Sequence, residues 1–344
     1  DCEASRGLGD VYKRQNLLNV SENIHPKAFT INDKGQLEIE WSEGSHISHY
    51  DVEWLRHNCY TMKSKKKYSS PYFLWDNSMQ SNFEDIQIDY QEIISGDEGI
   101  KKWLEQLHYK GISIVKNAPT EKESGFDVLS NISHHRETFF KTPFEVIDIP
   151  NPNNSAYTAA ALRNHIDLPY YEIAPGYQFL HCLINDATGG ESVALDGFKV
   201  ASYMKENFTE YFKILLDTPV KFVNRDYTAN TIRVMHKPIF TLDHNNDFND
   251  IRFSVAYMGI MDCSPEVMDS FYEAYRKLLS LLHDPMFEIN FRLEAGDIFS
   301  FNNRRVLHGR KEYDANSGNR HLQGYYIDRD EIVGRLNYLN RINP

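Results

Sequence analysis

At 344 residues, with 41% apolar and 25% charged side chains, the chain can bury a large core and has the balance of a globular protein. Its formal net charge of −12 argues against nucleic acid or an anionic membrane surface as a partner, and suits a small ligand with a cationic end. No apolar stretch approaches the roughly 20 residues of a membrane-spanning helix, and residues 1–15 are polar without the apolar centre of a secretory leader, so a cytoplasmic location is expected.

Residues 1–15 lack periodicity and are read as irregular. Ala28–Ile31 leads through the turn signal Asn32-Asp33-Lys34-Gly35 into Leu37–Trp41, which alternates with a period of two, so both are read as strands. A short helix is expected over Asp51–Cys59, followed by the solvated basic run Lys63–Lys67. A small β-rich domain over 1–92 fits this pattern, with the acidic segment 84–98 as the link to a second domain over 93–344. A helix around Gly99–Tyr109, a strand over Gly111–Lys116 and a helix over 121–134 follow. Strands are then expected at Tyr177–Leu183, Val220–Val223, Ile251–Tyr257, Glu288–Leu293, Ile298–Phe301 and Gln323–Ile327. One amphipathic helix, Pro265–His283, interrupts them, with Val267, Phe271, Tyr275, Leu278 and Leu282 at helical spacing. Many strands with few helices predict a mostly β fold, an antiparallel jelly-roll with flanking helices. Cys2, Cys59, Cys182 and Cys263 show neither metal-type spacing nor a disulfide framework, and are read as free thiols in a reducing compartment.

Two His-x-Asp tripeptides occur. His49-Tyr50-Asp51 has no matching downstream partner and is read as surface. His165-Ile166-Asp167 is different: residues two apart on a strand project to the same face, and Pro169 places the pair at a strand end. Arg163 shares that face if the strand extends back to it. Far downstream lie His308, within Asn303-Arg304-Arg305-Val306-Leu307-His308-Gly309-Arg310, and Arg320, whose guanidinium suits a carboxylate. Two imidazoles and one carboxylate are what a mononuclear iron(II) site with open positions needs.

At these residues the chain resembles the iron(II)/2-oxoglutarate oxygenases of the γ-butyrobetaine and trimethyllysine dioxygenase family, relatives of taurine dioxygenase. The likeness is dense over 155–335 and includes His165–Pro169, Pro175–Cys182, Gly189–Ser192, Asp196-Gly197-Phe198, Asn303–Arg310 and Arg320–Gly324. It implies a double-stranded β-helix, iron ligation by the catalytic residues His165, Asp167 and His308, and a site for the distal carboxylate of 2-oxoglutarate at Arg320, assisted by Ser192. Ascorbate would be supportive, dioxygen the other substrate and a homodimer the assembly. The segment Asp51–Cys59 resembles the family's small N-terminal domain, which in many members holds zinc with clustered cysteines and a His. His46 matches that His, but the cysteine cluster is absent, so no zinc is expected.

The same resemblance implies an aromatic cage for a trimethylammonium group, formed by Phe140, Phe144, Tyr157 and Tyr326. Other members carry Tyr and Trp where Phe140 and Phe144 stand, and a further Tyr where Leu168 stands. Asn154 matches a residue contacting the substrate's carboxylate, whereas Ala256 lies where a second Asn is expected. Arg163 is a cation new to this position and is read as holding the anionic end, carboxylate or phosphonate. The expected reaction is hydroxylation of a small trimethylammonium zwitterion, led by γ-butyrobetaine to carnitine. Trimethyllysine and 2-(trimethylammonio)ethylphosphonate are the alternatives, with a non-catalytic betaine-binding protein as the reading of another class.

Overall fold

The computed structural model describes residue 18 and residues 20–43, 46–57, 72–147, 158–227 and 229–342. The chain divides into two compact units between Pro71 and Tyr72. The first contains an antiparallel meander of Pro26–Ile31, Leu37–Trp41 and Ile47–Tyr50, then the helix Val52–His57. Its first turn closes where Gly35, at φ +74°, donates its N–H to the Asn32 carbonyl, a backbone conformation that glycine adopts without steric cost. His49 lies 3.3 Å from Glu38, so this second His-x-Asp pair is part of the meander's own charge pattern. His46 contacts Ser48. The Lys63–Lys67 run, Cys2 and Cys59 lie outside the described residues.

The second unit is built on two facing sheets. Six strands run in the order Gln87–Asp89, Ile112–Lys116, Ile298–Asn302, Tyr177–Asn185, Arg320–Ile327, Phe144–Val146. Four more run Glu288–Phe291, Ser192–Asp196, Val306–Arg310, Leu162–His165. Alternation along the strands decides what each face buries. Cys182, Phe299, Phe301 and Leu322 turn inward to meet Ala194, Ile289, Phe291 and Val306 of the smaller sheet. Phe179, Ile298 and Tyr325 turn outward and are covered by Trp103, Leu104, Ile332 and Leu336 from helices. This is the expected double-stranded β-helix, although helix and strand contents are nearly equal. No helix among the described residues is long and apolar enough to cross a membrane.

Residues 72–92, which the sequence suggested for the first domain, pack within this second unit. Gln87–Asp89 pairs in parallel with Ile112–Lys116, and Met79 and Ile86 are buried in the inter-sheet core. The helix expected over 121–134 shrinks to Gly125–Leu129, because Glu123 has a left-handed backbone (φ +69°) and gives its N–H to Gln323 Oε1. The strand expected at Ile251–Tyr257 ends at Ile251. Beyond that point the backbone serves another purpose: the Phe253 carbonyl accepts the Ile166 N–H, and buried Arg252 donates to the carbonyls of Pro169 and Tyr171. These bonds tie the chain down immediately around Asp167.

Candidate metal centre and adjoining cavities

His165 is the last residue of its strand, and its Cα partner in the antiparallel register is His308, at the middle of Val306–Arg310. Asp167 lies two residues beyond the strand end. Its N–H donates to Asn303 Oδ1 at 2.8 Å and its carbonyl accepts from Asn303 Nδ2 at 3.1 Å. Leu168 follows with φ +55°, an uncommon conformation for a bulky side chain. The result is convergence. Asp167 Oδ1 is 3.2 Å from His165 Nε2 and 3.8 Å from His308 Nε2. One ligand atom from each residue lies within 4.8 Å of the others.

The local chemistry prepares these atoms for a cation. His165 Nδ1 sits 2.8 Å from the Arg163 carbonyl, so Nδ1 carries the proton there and Nε2 faces Asp167. Burial penalises the Asp167 carboxylate, but the hydrogen bond and charge of His165, with a hydrogen bond from Tyr326, hold its pKa well below the usual range. Burial also opposes charge on His165, yet Asp167 carries that imidazole above its ordinary value. Burial and the neighbouring His165 push His308 down to about 3, leaving a neutral ring. A metal ion that takes the His165 proton's place finds two neutral imidazoles and one carboxylate.

Two cavities meet at this group. The larger, about 330 Å³, is lined by Phe140, Phe144, Arg163, Leu168, Ala256 and Tyr326, with His165 and Asp167 in its wall. The smaller, about 70 Å³, has His308, Ser192, Arg310 and Arg320 around it. The Arg320 Nε is buried without a hydrogen-bond partner, and burial with the adjacent Arg310 pushes its guanidinium down to about 10. A buried cation so placed favours an anion. The donor set therefore fits an iron(II) ion, and the Arg320 end fits a carboxylate.

Of the residues read from sequence, Phe140, Phe144, Arg163 and Tyr326 share the larger cavity, and Ser192 and Arg320 share the smaller. Asn154 and Tyr157 lie outside the described residues. His308 lies within the strand Val306–Arg310, which follows Ile298–Asn302 after the short turn of Asn303, Arg304 and Arg305. Tyr170 and Tyr257 also line the larger cavity, with ring centroids 4.7 Å apart, and went unrecognised because nothing in their local sequence distinguishes them from core. Asn303 was likewise seen only as part of a motif.

Phe144 stacks on Tyr326 at 5.0 Å and rests on Gly324, where an added Cβ would lie 2.0 Å from its ring. Gly324→Ala is therefore expected to displace Phe144. Overpacking of this kind costs about 1–3 kcal/mol, and thermal unfolding together with substrate KM should register it. A variant with parental melting and parental KM would show that the ring does not need this seat.

The family model "Taurine catabolism dioxygenase TauD, TfdA family" matches residues 75–326. γ-Butyrobetaine dioxygenase of Pseudomonas sp. (strain AK-1) is 34% identical, covering 99% of this chain and 88% of its own length. The Homo sapiens γ-butyrobetaine dioxygenase is 30% identical, covering 99% and 89%. Mouse mitochondrial trimethyllysine dioxygenase is 29% identical, covering 98% and 80%. Among solved structures, an asparagine oxygenase in complex with Fe(II), 3-hydroxyasparagine and succinate superposes with a TM-score of 0.53 at 15% identity, covering 68% of this chain and 83% of its own, a likeness of fold alone.

Proposed function

Because this chain belongs to the TauD/TfdA family of iron(II)- and 2-oxoglutarate-dependent dioxygenases, we propose that it hydroxylates a small trimethylammonium zwitterion, with conversion of γ-butyrobetaine to carnitine as its lead reaction. The observation that carries this reading is the meeting of an aromatic-walled cavity and an arginine-ended one at His165, Asp167 and His308. The reading of a non-catalytic betaine-binding protein gives way, since the chain is a dioxygenase.

In this reading His165, Asp167 and His308 hold iron(II). With iron(II) bound, dioxygen would be the oxidant and 2-oxoglutarate the two-electron donor, one oxygen atom ending in succinate, with loss of carbon dioxide, and the other in the hydroxylated carbon. The protein's part is placement. Arg320 grips the distal carboxylate of 2-oxoglutarate, and Ser192 donates to it. Leu180, Phe299 and Leu322 line that end of the site and keep it dry. Phe140, Phe144 and Tyr326, with Tyr157 by position, offer ring faces to the trimethylammonium group; such contacts are worth about 2 kcal/mol when desolvated. Asn154 and Arg163 take the anionic end. A homodimer acting in the cytoplasm on this zwitterion and dioxygen completes the proposal.

Succinate formation with iron(II), ascorbate, 2-oxoglutarate and a panel of betaines tests the reaction; no betaine-dependent succinate above the uncoupled background would remove it. One feature favours a second substrate. Arg163 and Ala256 line the same cavity, where an amide is lacking, and the Arg163 guanidinium lies at an exposed edge, 3.4 Å from the His283 ring. Such a wall suits 2-(trimethylammonio)ethylphosphonate, and trimethyllysine remains the third candidate. Arg163→Ala is expected to raise KM for the preferred anionic substrate about tenfold while kcat holds, the signature of lost uniform binding. Unchanged kinetics on both γ-butyrobetaine and the phosphonate would exclude Arg163 from recognition.

A further inference from the structure

A carboxylate can bind a metal through one oxygen or two, and the choice decides how many positions stay open. At Asp167 the two oxygens have different surroundings. Oδ1 faces both imidazole Nε2 atoms, at 3.2 and 3.8 Å. Oδ2 accepts a 2.6 Å hydrogen bond from the Tyr326 hydroxyl. Tyr326 is buried, and its ring is stacked on Phe144, which in turn sits against Gly324. The hydroxyl therefore cannot leave Oδ2 without disturbing a packed wall. The Asp167 backbone is anchored separately by Asn303, so the tyrosine's hydrogen bond acts on the orientation of the carboxylate, together with the His165 contact at Oδ1.

We propose that Tyr326 is a positioning residue that holds Asp167 as a one-oxygen ligand, reserving for 2-oxoglutarate and dioxygen the positions that a second carboxylate oxygen would take. The inference rests on His165, Asp167 and His308 being the metal ligands. It gives the Tyr326 ring and its hydroxyl separate roles: the ring lines the substrate cavity, and the hydroxyl sets the metal's free valence. A freed Oδ2 would compete with the chelating end of 2-oxoglutarate and strengthen the hold on the ion itself.

Tyr326→Phe keeps the ring and deletes the hydroxyl. Anaerobic titrations of iron(II) into the metal-free protein, and then of 2-oxoglutarate into the iron-loaded protein, read the two affinities without any betaine or turnover. The visible charge-transfer band of the chelate gives the second signal. The expected result is a 2-oxoglutarate dissociation constant raised about tenfold, with that for iron(II) unchanged or lower. Unchanged 2-oxoglutarate binding, or a loss of iron(II) affinity equal to or greater than that for 2-oxoglutarate, would overturn the proposal. If the variant does not fold, the iron-loaded parent decides by X-ray absorption or crystallography: one Asp167 oxygen at bonding distance is expected, and two would overturn it. Failure of the ligand reading is distinguishable, because the parent would then not take up iron(II) at this site. Failure of the betaine reading changes none of these measurements.

Discussion

Asp167→Ala is expected to reduce betaine-dependent succinate formation below detection and to weaken iron(II) binding by more than about a hundredfold, since even outer partners of metal ligands are worth 10–100-fold. Two imidazoles would remain, and the His308 ring would stay neutral through burial. What disappears is the one negative charge that offsets the ion and lowers the cost of desolvating it. The deletion should be local. The Asp167 backbone, held by Asn303 and flanked by the Ile166–Phe253 bond, does not depend on the carboxylate. Circular dichroism and melting of the metal-free variant should therefore match the metal-free parent. Anaerobic iron(II) titration gives the affinity; parental affinity in the variant would remove Asp167 from the ligand set.

The second large effect is expected at a pair remote from the chemistry. Asp196 and Arg305 are both fully buried and joined twice, Nε to Oδ1 at 2.9 Å and Nη2 to Oδ2 at 2.7 Å. Arg305 also donates to the carbonyls of Tyr109 and Phe73, and Asp196 accepts from the N–H groups of Trp75 and Phe198. Asp196→Ala strands a guanidinium in the interior, which costs about 3–5 kcal/mol. At the few degrees per kcal/mol usual for large domains, the melting temperature should fall by about 10 °C. Because Arg305 immediately precedes the strand carrying His308, iron(II) uptake should weaken as well. Differential scanning fluorimetry checks the first claim, and a drop under about 2 °C would contradict it. An Asp196→Leu, Arg305→Met double variant should recover only the part due to the stranded charge, because the Trp75 and Phe198 N–H groups and the Tyr109 and Phe73 carbonyls still lose their partners.

How much of this was legible in the sequence follows from distance along the chain. His165 and Asp167 announce themselves because they are two residues apart, and the run from Asn303 to Arg310 carries His308 in a motif dense enough to recognise. The strand alternation of Phe299 and Phe301 against Ile298 likewise follows from neighbours. What stayed hidden depends on partners far away in sequence. The Tyr326 hydrogen bond to Asp167 spans 159 positions, and the Asn303 clamp spans 136. Residues 252–257 have strand-like composition, yet the Phe253 carbonyl and the Arg252 side chain are committed to the chain around Asp167 and Val255–Tyr257 coils into a 3-10 turn, which no local pattern reveals. Tyr170 and Tyr257 carry no local signal that separates them from core aromatics; only the fold brings their touching rings to the wall of one cavity. At Glu123 a single left-handed residue cut short a helix that the surrounding propensity favours.

The register that sets His165 opposite His308 has a consequence for the chain as a polymer. Those two rings are separated by about 140 residues of intervening sequence, a loop whose closure is entropically unfavourable in the unfolded state. An ion gripped by both would act as a reversible crosslink at the neck of that loop, riveting one edge of the smaller sheet. Loading the centre thus contributes to holding the barrel shut, and chelators would attack architecture and chemistry through the same three atoms.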